Sequence, residues 1–232
     1  MASVFVDAAT VVCLRESATG RSWEVLLGQN EVKNWLRSTR DATVIMRYPG
    51  EWKFPGGSRD DTDTSLEATA IRELNEEFVG INAPPQSMVL HWVSTKETLA
   101  VKGKRFKMHN FVALANENAW LQDVHLVDRV NTRLAEKRAA FERSVADGSF
   151  WSLDAEAKEA ISPEVHAVQW FPIHEAIAMM TPGRLAHVNA FQEREFAQYG
   201  VASRDPMFQS MKTLEHVAAL SRQEIQQVHS KV

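Results

Sequence analysis

One cysteine stands in 232 residues, so neither an internal disulfide framework nor a multi-cysteine zinc site can be built. Cys13 sits among Val11, Val12 and Leu14, which reads as an inert buried thiol. No apolar stretch approaches the ~20 residues that a membrane-spanning helix needs. A positive excess is also missing: 26 Lys and Arg stand against 30 Asp and Glu, a formal net charge of -4. Such a chain has no overall basic field to draw in a nucleic-acid duplex, and a small anion must be gripped locally. The first fourteen residues hold no Lys or Arg, which speaks against a secretory n-region or an Arg-rich transit peptide and leaves a cytoplasmic location as the expectation. Ser230-Lys231-Val232 differs from the peroxisomal Ser-Lys-Leu tail only in its last apolar residue, so a peroxisome-type organelle is the alternative. Repeats and low-complexity tracts are absent.

What is present fits one elaborated domain over residues 1–232, since the length is large for one ordinary core and small for two. Residues 4–14 and 23–27 are apolar or β-branched runs around a polar turn, and predict two strands. Residues 30–50 are polar and end in Tyr48-Pro49-Gly50, the composition of a loop or insertion. Thr64-Ser65-Leu66-Glu67 has the form of a capping box, so a helix should start there. Leu66, Ala70, Leu74 and Phe78 recur at fourfold spacing with Ile71 beside them, and Val79-Gly80 supplies the expected stop. Residues 88–95 and 105–114 predict a hairpin about Lys102-Gly103-Lys104. Residues 124–146 predict a charged helix whose apolar side, Val127, Val130, Leu134 and Phe141, needs a partner; that partner is either its own core or a second subunit of a homodimer. A last strand over 166–171, closed by Pro172, leads into a helix over 173–180, and two further helices separated near 200–206 follow.

The chemistry concentrates in Phe54-Pro55-Gly56-Gly57 and, after a loop, Arg72-Glu73-Leu74-Asn75-Glu76-Glu77. Residues 73, 76 and 77 stand at i, i+3 and i+4, so three carboxylates project from one helix face while Leu74 and Phe78 point elsewhere. Their mutual repulsion asks for a cation, and carboxylate oxygens suit hard Mg²⁺ or Mn²⁺. Gly56 and Gly57 let the backbone turn without a side chain in the way.

These residues resemble the Nudix signature G-x5-E-x7-R-E-U-x-E-E-x-G-U, in which U is a bulky aliphatic residue. The resemblance implies an α/β fold, an α/β/α sandwich around a mixed sheet, and hydrolysis of a pyrophosphate linkage in a nucleoside diphosphate derivative. It implies that Glu73, Glu76 and Glu77, with Gly57, hold the metal, and that Arg72 orients the glutamates. The metal would lower the pKa of a bound water and neutralise charge at phosphorus. Counted back from Arg72, the signature's first Gly falls on Ser58 and its first Glu on Thr64, while its last Gly falls on Val79. The loop is thus one residue longer; either Asp63 replaces the lost Glu or that position has lost its role.

The resemblance covers roughly residues 4–180 and includes a late strand in which Glu164 is either a further catalytic or metal-supporting acid or a surface charge. Residues 30–50, 115–160 and 184–232 have no counterpart in the minimal fold; the second is expected as a helical insertion and the third as a C-terminal helical extension. Substrate-contact candidates are Gly56, Gly57, Arg47 and Trp52, with Arg37 and Arg40 as further phosphate-gripping or merely solvated charges. The run from Gly50 to Gly57 also carries the G-x3-F-P-G-G ending of the coenzyme A pyrophosphatase subgroup, with Arg47 one residue too close. Trp120 and Trp151 flank the helical insertion and either pack or stack on a base, which keeps an RNA 5'-end pyrophosphohydrolase open. A weakly active Nudix-fold nucleotide- or RNA-binding protein is the alternative from another class.

Overall fold

The computed structural model describes residues 4–20, 22–46, 48–78, 88–97, 104–180, 194, 197–198 and 208–227. Strand β1 (Val4–Glu16) sits at the centre of the sheet, and its side chains alternate between two apolar layers. Val11 and Cys13 enter one layer with Leu26, Phe111 and Ala113; Val12 and Leu14 enter the other with Val25, Leu27, Val112 and Leu114. A strand buried on both faces has to be apolar at successive positions, which is why residues 11–14 lack a polar alternate. Burial also pushes the Cys13 thiol far up, so it stays protonated.

The other strands are β2 (Trp23–Asn30), β3 (Trp52–Lys53), β4 (Gly56–Ser58), β5 (His91–Glu97), β6 (Lys104–Leu114) and β7 (Val165–Pro172). β1 runs parallel to β6 and antiparallel to β2 and β4, so the sheet is mixed. β5 and β6 pair antiparallel as the expected hairpin, although its turn lies outside the described residues. Helices cover both faces. α1 (Leu66–Glu77) and α2 (Leu126–Ala146) supply Ala70, Ile71, Leu74, Val130 and Leu134 to the first layer. α4 (Ile173–Met179), α5 (Phe208–Ala218) and α6 (Arg222–Gln227) supply Ala176, Leu214, Val217 and Ile225 to the second. The α/β sandwich around a mixed sheet is therefore as the sequence implied.

The splay of β1 from β2 creates the place for a site. Residues 13–16 of β1 pair with β2, but residues 8–10 pair with β4 instead, while the far end of β2 pairs with β3 and β7. The segment carrying Phe54-Pro55-Gly56-Gly57 wedges into this gap, and Val11 donates its N–H to Pro55 O at 3.0 Å.

Four local differences from the sequence expectations have simple causes. The N-cap of α1 is Ser65, not Thr64: its side chain accepts from Ala68 N at 3.1 Å, which moves the start of the helix by one residue. Residues 32–46 fold back as an arm closed by Lys33 pairing with Ile45. A short α3 (Ala155–Ile161) follows α2, capped by Asp154. The C-terminal extension breaks at Ser221, where Ser221 and Glu224 cap each other's backbone N–H; Ser221-Arg222-Gln223-Glu224 is a capping box, legible but overlooked. Val79, Gly80 and the break expected near 200–206 lie outside the described residues.

The apolar side of α2 finds its partner in its own chain. Val130 and Leu134 join the first layer, and Phe141 packs edge-to-face on Trp35 and Phe150 with centroids 4.7 and 5.1 Å apart. Polar contacts fix the docking: Asn131 both donates to Val168 O (3.0 Å) and accepts from Val168 N (2.7 Å), and Arg138 donates to Glu31 (3.0 Å) and to His166 O (2.6 Å). Among the described residues no helix is long and apolar enough to cross a membrane.

Leu74 is fully buried where α1 meets the sheet, so Leu74→Ala is expected to cost about 2–5 kcal/mol. Val124→Ala, at a position 82% exposed, is expected to leave the urea midpoint unchanged; equal midpoints for both variants would contradict this layer assignment.

Candidate active site

Asp63 ends the loop that enters α1, and its carboxylate is held from several sides. It accepts from Asp60 N at 2.8 Å, Thr69 Oγ1 at 2.9 Å, and Arg72 Nε and Nη2 at 3.1 and 3.0 Å. Arg72 Nη2 also donates to Ser58 O at 2.9 Å, and Nη1 donates to Glu73 and Glu76 at 2.9 and 3.0 Å. A guanidinium offers five N–H donors, so this arginine ties strand β4, the loop and two glutamates into one unit. The hydrogen bond from Arg72 and those from the Asp60 backbone and Thr69, against the opposing pull of burial, lower the Asp63 carboxyl from 3.8 to about 2. Asp63 is thus an anchor for Arg72.

The three glutamates occupy three environments. Glu77, 4% exposed, accepts from Gly56 N at 3.1 Å and forms an ion pair with Lys53 Nζ. Glu73 is largely buried, and its carboxylate lies against Gly57; a Cβ there would come within 2.5 Å of Glu73 Oε1. Glu76 is turned outward, its side chain 57% exposed. One hundred degrees per residue separates positions 76 and 77 by more than a quarter turn, which is why a shared face still yields unequal burial. Burial and the charge of Glu77, partly offset by Arg72, push Glu73 up to about 7. Glu77 is also raised, first by burial, with Lys53 opposing and Glu164 adding to the shift.

Glu164 joins this group from β7's leading edge, where its backbone carbonyl accepts from Glu31 N at 2.9 Å. Lys137 on α2 also belongs here: it is half-buried, and the charges acting on its ammonium are Glu164 and Glu76. Among the described residues no three acidic, histidine or cysteine side chains converge as a ready metal cage. Arg72 and Lys53 draw the carboxylates toward themselves instead. The donor chemistry nonetheless suits a hard divalent cation: carboxylates within one another's field, beside a glycine corner with no side chains.

A cavity of about 310 Å³ opens on the sheet face opposite α1. Its floor includes Ala8, Thr10, Met108 and Asn110, and α5 closes it with Ser210 and Thr213. Gly56, Gly57 and Ser58 form the wall shared with the glutamates, and Lys53 lines the cavity while contacting Glu77. Polar groups in its lining include Lys96, which donates to Thr213 Oγ1 at 3.3 Å, and Asn30, whose Oδ1 has no hydrogen-bond partner among the described residues.

Arg72, Glu73, Glu76, Glu77, Glu164, Gly56 and Gly57 therefore come together. Trp52 does not join them; it packs on Phe171 at 4.8 Å in the second layer. Arg37 is exposed, and Arg40 lines a separate groove with Lys33, Trp35 and Trp151. Trp151 packs on Phe150 at 5.0 Å and Trp120 against the first layer. Arg47 and Ser230-Lys231-Val232 lie outside the described residues. The sequence reading missed Lys53 and Lys137, yet both carry a signal. Lys53 is the strand neighbour of the core-facing Trp52, so period-two alternation turns it away from that core. Lys137 falls three residues after Leu134 and four before Phe141, within the inward stripe of α2.

A family model described as the NUDIX domain matches residues 6–193, and the chain belongs to that family. It is 39% identical over 87 residues to the mouse (Mus musculus) peroxisomal coenzyme A diphosphatase NUDT7, covering 36% of either chain. It is 42% identical over 53 residues to the uncharacterized Nudix hydrolase NudL of Cronobacter sakazakii, covering 23% of this chain and 26% of that one. The chain thus spans about a quarter to a third of the length of these curated relatives. Among solved structures, the NUDIX domain of Shewanella oneidensis NrtR complexed with ADP ribose superposes with TM-score 0.47 at 15% identity, over 92% of this chain and 86% of that one. A NUDIX hydrolase from Alicyclobacillus acidocaldarius gives 0.45 at 15% identity, over 95% and 94%.

Asp63 titrates below its ordinary value in the folded chain, so its contribution to stability is full above about 4 and is lost as pH falls through about 2. Asp63→Asn is expected to lower the urea midpoint at pH 7 and to converge on the parent protein as pH drops toward 2. A gap that widens on acidification would contradict the Arg72 pairing.

Proposed function

We propose that this protein hydrolyses a pyrophosphate linkage in a nucleoside diphosphate derivative, with Mg²⁺ or Mn²⁺ held by Glu73, Glu76, Glu77 and the backbone of Gly57. The observation that carries this reading is the glycine wall: Gly56-Gly57 separates a largely apolar cavity from a group of carboxylates by backbone alone. A substrate whose non-reacting group fills the cavity can lay its diphosphate across that wall without meeting a side chain. When bound, the cation supplies charge neutralisation at phosphorus and an acidified water. Arg72 holds Glu73 and Glu76 by charge-assisted hydrogen bonds. Glu164, within the field of Glu77, is placed to support the metal or to accept a proton from water. Asn30 Oδ1 offers the cavity an acceptor for a ligand N–H or hydroxyl.

Coenzyme A and its esters are the favoured particular substrates, because the Gly50–Gly57 run carries the ending of the subgroup's motif and the 87-residue likeness is to a coenzyme A diphosphatase. The RNA 5'-end reading has less support, since Trp120 and Trp151 are engaged in packing.

Phosphate-product release should be followed with Mg²⁺ on a panel of ADP-ribose, dinucleoside polyphosphates, coenzyme A and 5'-triphosphorylated RNA. The expected result is turnover of at least one diphosphate, with 3',5'-ADP released from coenzyme A, and a loss of about 100-fold or more in Glu77→Gln. Silence across the panel would favour a binding protein; inertness toward coenzyme A alone would remove that substrate. In the same assay Gly57→Ala, whose methyl would collide with the Glu73 carboxylate, is expected to lower kcat with the fold intact by circular dichroism.

A further inference from the structure

A lysine inside the apolar stripe of a docked helix calls for a reason. Val130, Leu134 and Phe141 of α2 are all buried, and Lys137 shares their face. The usual solution for such a lysine is to run its stem along apolar surface and lift the ammonium into water. Here the side chain is half-buried, forms neither a hydrogen bond nor a close ion pair with the described residues, and lies within the electrostatic reach of Glu164 and Glu76. Its placement is not left to a mobile helix. Asn131 grips both backbone groups of Val168, and the adjacent Arg138 grips Glu31 and His166 O. The helix is thereby fixed to β7, the strand that carries Glu164 at its leading edge.

A cation held beside an acidic group yet bonded to none of its members has capacity for a further anion. Arg72 contrasts with it, since all its donors are engaged. We infer that Lys137, contributed by the helical insertion, is a substrate-binding residue that donates to a non-bridging oxygen of the diphosphate at the Glu76–Glu164 side of the site. This rests on the diphosphate reading above and adds to it a contact that the minimal fold, lacking the insertion, has no means to make. The insertion then serves recognition as well as packing. Lys137 moves no proton; its part is to offset the negative charge of the diphosphate on the side away from Lys53.

The test uses the full chain and three proteins: the parent, Lys137→Met and Lys137→Arg. Calorimetry with α,β-methylene-ADP and Mg²⁺ reads diphosphate binding without turnover, and calorimetry with Mn²⁺ alone reads the metal. One charge-assisted hydrogen bond corresponds to roughly tenfold or more in affinity. Lys137→Met should therefore weaken the analogue at least tenfold, with Mn²⁺ affinity equal or higher, since a competing positive charge is removed, and the urea midpoint equal or higher, because methionine fits the stripe. Lys137→Arg should recover most of the lost affinity, and on any panel substrate the Met variant should show a raised KM. Equal analogue affinity in the parent and Lys137→Met, or no recovery by arginine, overturns the inference while leaving the diphosphate reading intact. A parent protein that neither binds the analogue nor turns over the panel overturns both.

Discussion

The guanidinium of Arg72 is the interaction on which the site depends. Its five donors meet the carbonyl of Ser58, both oxygens of Asp63, and one oxygen each of Glu73 and Glu76. Strand β4, the entry loop and α1 are thereby held in one register. A half-buried arginine with every donor engaged leaves little freedom to its partners, because any displacement strands a charged group in a poorly solvated place. The extra loop residue relative to the Nudix signature is absorbed here: Asp63 meets Arg72 although it stands one position before the signature's acid. In this structure the carboxylate anchors the arginine.

Around that hub the negative charge of α1 is distributed over protein cations. Lys53 answers Glu77 and Arg72 answers Glu73 and Glu76, while Lys137 acts at longer range. The glutamates are consequently in unlike states, one buried, one against a glycine and one in solvent. A divalent ion bound to them, as proposed, would compete with these internal partners, which would couple its affinity to the side chains of β3 and α1 alike. The same arrangement joins the two faces of the sheet, because Lys53 belongs both to the acidic group and to the cavity wall.

Segments expected from the sequence to lie outside the minimal fold are built into the site's surroundings. The 32–46 arm and α2 meet through Trp35, Phe141 and Phe150, α2 seals the free edge of β7 through Asn131, and α5 closes the cavity with Ser210 and Thr213. Edge strands expose unpaired backbone groups, and the asparagine on α2 satisfies them at Val168 as a neighbouring strand would.

By itself the sequence determined the elements whose code is local. Apolar and β-branched runs marked β1 and β6, fourfold apolar spacing marked α1, an apolar side marked α2, the Thr64-Ser65-Leu66-Glu67 box marked the α1 cap to within one residue, and the run from Phe54 to Glu77 placed glycines and glutamates in one neighbourhood. Short pieces such as β3 and β4 escaped, since two or three residues carry no periodicity and are strands only because β1 and β2 diverge to receive them. Which charge meets which was likewise decided by tertiary structure: Lys53 reaches Glu77 across 24 positions and Lys137 faces Glu164 across 27. Trp52 was drawn away from the site by Phe171. Spacing along a helix or strand constrains only neighbours a few residues apart, whereas partners supplied by other elements depend on the packing of the sheet and its two helical layers.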